Sequence, residues 1–122
     1  MTRARRQTGL FGEERAAQAL TEAGYRVLAR NYRCRYGEID LVAEEGETII
    51  FVEVKARRST AYGDPALAIT RQKQRRIARA AQHYLAVMRM PDRRARFDVV
   101  TLVRESGGWR IRIIRDAFEV ET

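Results

Sequence analysis

Apolar and polar positions divide the chain into two helical stretches and five extended ones. From Gly12 to Ala23 the apolar residues recur at helical spacing, with Ala16, Ala17 and Leu20 on one stripe and Gly24 at the expected C-cap. Glu13 stands three, four and seven positions before those three, so the spacing turns it inward with them. Glu14, about 100° further round, faces solvent. Tyr25 to Tyr32 predicts a first strand with Tyr25, Val27 and Leu28 packing, and Arg30, Arg33 and Arg35 form a basic rim behind it. Gly37 to Lys55 (GEIDLVAEEGETIIFVEVK) predicts two more strands around a turn centred on Glu45-Gly46. In the second of these, Ile49, Ile50, Phe51, Val52 and Val54 make the run from Thr48 to Val54 apolar on both faces, as a central strand is. Gly63, Asp64 and Pro65 punctuate a loop, with Asp64 able to N-cap and Pro65 at a first helical position.

Thr70 then caps the longest helix, Arg71 to Arg89. Its apolar stripe is Ile77, Ala81, Tyr84, Leu85 and Met88. A second stripe, Gln72, Arg75, Arg76, Arg79 and His83, runs along another side. Pro91-Asp92 ends it. Arg96 to Val103 and Trp109 to Ile114 predict a hairpin around Ser106-Gly107-Gly108. Residues 116–122 show no period. The predicted order is α-β-β-β-α-β-β: an α/β fold with a mixed central sheet, its parallel step crossing over the long helix. Residues 1–8 read as a basic tail before a single domain over 9–122.

Within this frame three charged residues fall where a strand core is normally apolar: Asp40, Glu53 and Lys55. Glu53 and Lys55 are two apart and share a face. A two-residue loop at 45–46 pairs residue 40 with 51, next to Glu53. A four-residue loop at 45–48 pairs 40 with 53. A three-residue loop without a bulge puts the two acids on opposite faces. The set reads either as an active site or as a cross-strand ion pair at a sheet edge. A carboxylate and an ammonium at the end of a buried strand are costly unless compensated, and a metal ion with a phosphate would compensate them. Asp98 is a further acid of lower rank.

Composition narrows the chemistry. With 45% hydrophobic and 33% charged residues in 122, the chain is globular and long enough for one core. It carries 24 Lys+Arg against 16 Asp+Glu, net +8, and its only lysines are Lys55 and Lys73. Guanidinium groups suit phosphate, so nucleic acid is the expected partner; an arginine-rich genome would give the same composition. One cysteine (Cys34) and one histidine (His83) exclude an internal disulfide and a Cys/His zinc cluster. Any metal site must then use carboxylates, which points to Mg²⁺ or Mn²⁺. His83 reads as a surface histidine. No stretch reaches membrane-spanning length and MTRARRQTG lacks the apolar segment of a signal peptide, so a cytoplasmic protein is expected.

Asp40 followed by Glu53-Val54-Lys55 at a strand end resembles the motif of the PD-(D/E)xK nuclease superfamily, and Glu13 resembles the helix acid of its Holliday-junction-resolvase branch. The blocks GEERAAQAL, GYRVLARNYR, GEIDLVA, IIFVEVKAR, YGDPALAI, KQRRIARAAQHYL and RFDVV resemble the YraN-like family of uncharacterised bacterial proteins, over most of residues 9 to 103. The resemblance implies a restriction-endonuclease-like fold and a metal-dependent endonuclease, structure-selective on branched DNA. Asp40, Glu53 and the Val54 carbonyl are then the expected ligands of Mg²⁺ or Mn²⁺, and Glu13 holds a second metal or its water. Lys55 orients the attacking water or stabilises the developing charge. On the residues alone, Arg57 and the stripe of Arg75, Arg76 and Arg79 read either as contacts for a nucleic-acid backbone or as solvated surface; the resemblance implies DNA rather than RNA, and a homodimer that cuts both strands. Ile39-Asp40 replaces the Pro-Asp of the motif. The superfamily also contains members that bind without cutting, so a catalytically inactive nucleic-acid-binding module is the alternative.

Overall fold

The run that is apolar on both faces does lie at the centre of the sheet. A computed structural model describes residues 3–59, 61 and 63–120, with 3–10, 66 and 67 described by backbone alone. The elements are α1 (Arg3–Glu22), β1 (Arg26–Cys34), β2 (Gly37–Glu45), β3 (Thr48–Arg57), a short 3₁₀ turn (Pro65–Ala68), α2 (Arg71–Val87), β4 (Ala95–Glu105) and β5 (Gly108–Phe118). The strands form one sheet in the order β1-β2-β3-β4-β5. Every neighbouring pair is antiparallel except β3 and β4, which run parallel because α2 carries the chain back along the sheet between them.

One helix covers each face. Ala16, Ala17 and Leu20 of α1 pack on Leu41, Ala43, Ile50, Val52, Val100 and Leu102. Ala80, Ala81, Tyr84 and Leu85 of α2 pack on Ile39, Val42, Ile49 and Phe51. Alternate residues of β3 thus serve opposite layers, which is why the strand is apolar throughout. Each large side chain buried there is worth roughly 1.5–3 kcal/mol. The helix ends follow their cap residues. Gly24, at φ +96°, closes α1, and the Tyr25 N–H donates back to the Leu20 carbonyl at 2.9 Å. Thr70 Oγ1 accepts the Lys73 N–H at 3.1 Å and starts α2.

Two boundaries differ from expectation. Helix α1 begins at Arg3 and runs back through the segment expected as a tail. Ala, Arg and Gln there are good helix formers, and no proline interrupts them. Gly12 therefore sits inside the helix. A Cβ at that position would lie 3.3 Å from the Ala56 Cβ, so the glycine lets α1 seat closely on β3. At the other end β5 continues to Phe118, into the stretch without a readable period. A bulge opposite Asp98, with Asp116 at φ +52°, breaks the alternation there.

Candidate active site between the sheet and the long helix

The site arises where β2 and β3 part. Their ladder runs from Glu45–Thr48, closing a turn at Gly46-Glu47, to Leu41–Val52. The turn is one residue later than expected, yet the register brings Asp40 and Glu53 together as the next residue on each strand. Beyond this point β2 pairs only with β1, and β3 only with β4. The Val54 N–H has lost its strand partner, and Asp40 Oδ2 accepts it at 2.8 Å. Alternation breaks at the same place: Leu41 packs under α1 while Ile39, two residues earlier, packs under α2. On β1, Asn31 lies between the Arg30–Leu41 and Tyr32–Ile39 pairs, and its φ of +53° kinks the strand beside Asp40.

Three carboxylates meet here. Oxygens of Glu13, Glu38 and Asp40 all lie within 4.8 Å of one another. Burial, together with the neighbouring Glu53 charge, pushes Asp40 up to about 7, against the pull of the Val54 N–H. Burial also raises Glu13; a hydrogen bond from Asn31 opposes this, and Glu38 adds to it. Glu53 is 5% exposed, and its Oε1 is approached by Lys73 Nζ at 2.6 Å and Lys55 Nζ at 3.7 Å. Burial and then the adjacent Lys73 push Lys55 down to about 8. In Lys73 burial works the same way and is the largest single influence, but the bonds to Glu53 and Lys55 together with the charges of Glu53 and Asp40 outweigh it and raise the group. The cleft in front, about 440 Å³, is walled by Glu38, Asp40 and Glu53 on one side and by Gln72, Lys73 and Arg76 of α2 on the other.

The expected set is therefore gathered, with changes. Glu13 and Asp40 converge with Glu38; Glu53 stands beside them but is held by lysines. The Val54 amide faces Asp40 while its side chain packs with the α1 layer. Arg76 lines the cleft. Arg75 lines a separate groove with Arg71 and Glu119, and Arg79 is exposed on α2. Arg57 is exposed at the end of β3, where its Nη1 donates to the Ala56 carbonyl.

Lys73 and Glu38 were not anticipated. Lys73 did leave a signal, since it stands four residues before Ile77 at the head of the apolar stripe. Glu38 is two residues from Asp40 on the same strand. Asn31 carried no signal beyond its tolerance of positive φ. Three oxygen-donating carboxylates in a mutually repelling cluster fit a hard divalent cation such as Mg²⁺ or Mn²⁺, which would relieve the repulsion that raises Asp40.

Two other polar residues have different surroundings. Asp98 is fully buried and accepts from Tyr25 Oη at 2.7 Å, Arg96 Nε at 3.0 Å and the Asp116 N–H at 2.9 Å. Its lone pairs are committed to holding β4, β5 and the start of β1 together. His83 is half-buried rather than on the surface: its Nδ1 is hydrogen-bonded to Tyr32 Oη. Among the described residues no helix is long and apolar enough to cross a membrane.

Comparison with known proteins places similarity over this whole region. The profile of the uncharacterised protein family UPF0102 matches residues 12–102, a range that includes every residue of the cleft. A UPF0102 protein of Syntrophus aciditrophicus (strain SB) is 53% identical over 114 residues, covering 93% of this chain and 90% of the relative. One from Lachnoclostridium phytofermentans is 52% identical over 112 residues, 91% of this chain and 92% of the relative. The UPF0102 protein STH1475 of Symbiobacterium thermophilum is 49% identical over 114 residues, 93% of this chain and 97% of the relative.

Proposed function

The chain belongs to the uncharacterised protein family UPF0102, the YraN-like proteins its sequence blocks resemble, and we propose that it is a metal-dependent endonuclease on a restriction-endonuclease-like fold. The observation that carries this reading is the convergence of Glu13, Glu38 and Asp40 beside a buried Glu53 that holds both lysines of the chain. A structural scaffold gains nothing from crowding carboxylates at a half-buried strand end, where each raises the cost of ionising the next. A phosphodiesterase gains a cation site. When bound, Mg²⁺ or Mn²⁺ would supply a Lewis acid for the phosphoryl oxygen and a more acidic water.

The chain's own residues supply the rest. Asp40 is held at one oxygen by the Val54 N–H, which fixes the direction of the other. Lys55, enclosed beside Glu53, offers a positive charge to the phosphoryl group as negative charge develops on it. Arg76 on the cleft wall, with Arg79 exposed on the same helix and Arg57 exposed at the end of β3, neutralises backbone phosphates without reading bases. Arg75, on the separate groove, extends that surface. DNA as the substrate, branched DNA in particular, and a homodimer presenting one cleft to each strand follow from the resemblance to Holliday-junction resolvases.

One observation favours a second reading, a nucleic-acid-binding module that does not cut. Lys73 and Lys55 satisfy Glu53 without any added cation. The two readings separate on labelled linear, flapped and four-way DNAs, with RNA alongside, incubated with Mg²⁺ or Mn²⁺. Cleavage by the wild type and none by Asp40→Asn or Lys55→Met supports the nuclease. Binding without cleavage in all three proteins supports the module. Equal cleavage in all three reveals a contaminant and removes support for the site.

A further inference from the structure

Of the 24 Lys+Arg residues only Lys55 and Lys73 are lysine, and both direct Nζ at the same oxygen of Glu53. We propose that Lys73 is a displaceable counter-ion: its ammonium neutralises Glu53 while no divalent cation is bound, and it leaves Glu53 for the nucleic-acid backbone when one is. This rests on the metal-dependent reading above.

Residue type is the first support. The acids away from the cleft are paired with arginine, as Arg96 on Asp98 and Arg93 on Glu44. A guanidinium fork matches a carboxylate in a set geometry, whereas an ammonium is a point charge on a flexible stem that one oxygen can hold and exchange. The two lysines also differ in their surroundings. The Lys55 side chain is 15% exposed and hemmed in, while that of Lys73 is 40% exposed. Withdrawing Lys73 therefore sacrifices less burial than withdrawing Lys55 would. Its backbone does not need to move, because Thr70 Oγ1 holds the Lys73 N–H in the first turn of α2. Only the four-carbon stem swings.

Charge supplies the driving force. Lys73 lies 2.6 Å from Glu53 Oε1, and it lowers the cost of ionising the neighbouring Asp40. A dication held between these carboxylates would do both tasks and would repel an ammonium at that distance. The freed group has a place to go. Arg76 follows Lys73 by three residues on the same helix face and lines the same cleft. Metal loading then adds one positive charge to the wall that faces a bound phosphate.

The test uses the low lysine count. Protein labelled with ¹³C only in its lysines gives two sets of side-chain signals, assignable with Lys73→Met. On Mg²⁺ titration without nucleic acid, the Lys73 ε-methylene signal is expected to shift saturably. In parallel, Mn²⁺ affinity is expected to rise about tenfold or more in Lys73→Met, since a charge-assisted bond no longer competes for Glu53. Saturable Mn²⁺ binding with an unmoved Lys73 signal and unchanged affinity in the variant would overturn the counter-ion role and leave the metal centre standing. No saturable binding by the wild type would overturn both. If Lys73→Met does not fold, the wild-type titration decides alone, its signals then assigned through Lys55→Met.

Discussion

Replacing Asp40 by asparagine should stabilise the metal-free protein, although Asp40 lies at the centre of the proposed site. Asparagine keeps the shape, and its Oδ1 can still accept the Val54 N–H that Asp40 accepts at 2.8 Å. What it removes is a charge buried next to Glu53 and Glu13. The folded protein holds the Asp40 proton up to about 7, against 3.8 for an ordinary aspartate. At about 1.4 kcal/mol per pH unit the full shift corresponds to roughly 4 kcal/mol. Screening at a half-buried carboxylate lowers the expectation to about 1–3 kcal/mol, or roughly 4–12 °C in Tm for a domain this size. The sign follows from the raised value. Below the unfolded pKa both states are protonated and the penalty is absent; between that value and about 7 the unfolded chain ionises while the folded one keeps its proton, so stability falls as pH rises. Thermal unfolding in EDTA should thus show Asp40→Asn near parity at about pH 4, with an advantage that grows to about pH 7 and then levels off. Mg²⁺ should reverse the order, stabilising the wild type by mass action and leaving the variant unmoved. A variant less stable than the wild type at about pH 8 in EDTA, or a difference independent of pH, would refute the reasoning.

Further perturbations separate the site from the scaffold. Gly12→Val adds bulk where a Cβ alone would already meet Ala56 at 3.3 Å. It should cost about 1–3 kcal/mol in denaturant unfolding and weaken Mn²⁺ binding by displacing Glu13, whereas Gly12→Ala stays near neutral. Asp98→Ala strips the buried Tyr25 hydroxyl, the half-buried Arg96 guanidinium and the Asp116 N–H of their common acceptor. A loss of about 3 kcal/mol or more is expected by chemical denaturation, with Mn²⁺ affinity unchanged in whatever fraction folds. Arg76→Gln should weaken DNA binding uniformly across sequences and reduce the slope of log affinity against log salt by about one. An unchanged slope would remove Arg76 from the phosphate-contacting surface.

Much of the fold was legible in the sequence because it rests on local periodicity. The strand with apolar residues on both faces, the inward stripe of Ala16, Ala17 and Leu20, and the caps at Gly24 and Thr70 all follow from rules that act within a few residues. The parallel step followed from the length of the crossover. For the same reason Glu13, Asp40, Glu53 and Lys55 could be singled out: each is a charge at a position whose neighbours are apolar. What failed was regularity itself. The bulge at Asp98 and Asp116 hid the end of β5, and a helix-compatible segment was read as a tail.

The sequence alone thus determined the order of elements, the two-faced central strand and the set of charges that fall among apolar positions. Tertiary structure decided how those charges are partnered. The parting of β2 and β3 hands the Val54 amide to Asp40, the kink at Asn31 lies beside it, and the oxygens of Glu38 come within 4.8 Å of those of Asp40 and Glu13. The docking of α2 brings Lys73 onto a carboxylate twenty residues away in the chain. No local pattern encodes such meetings, because they depend on where whole elements pack, and a shift of a few ångströms in that packing would exchange one partner for another.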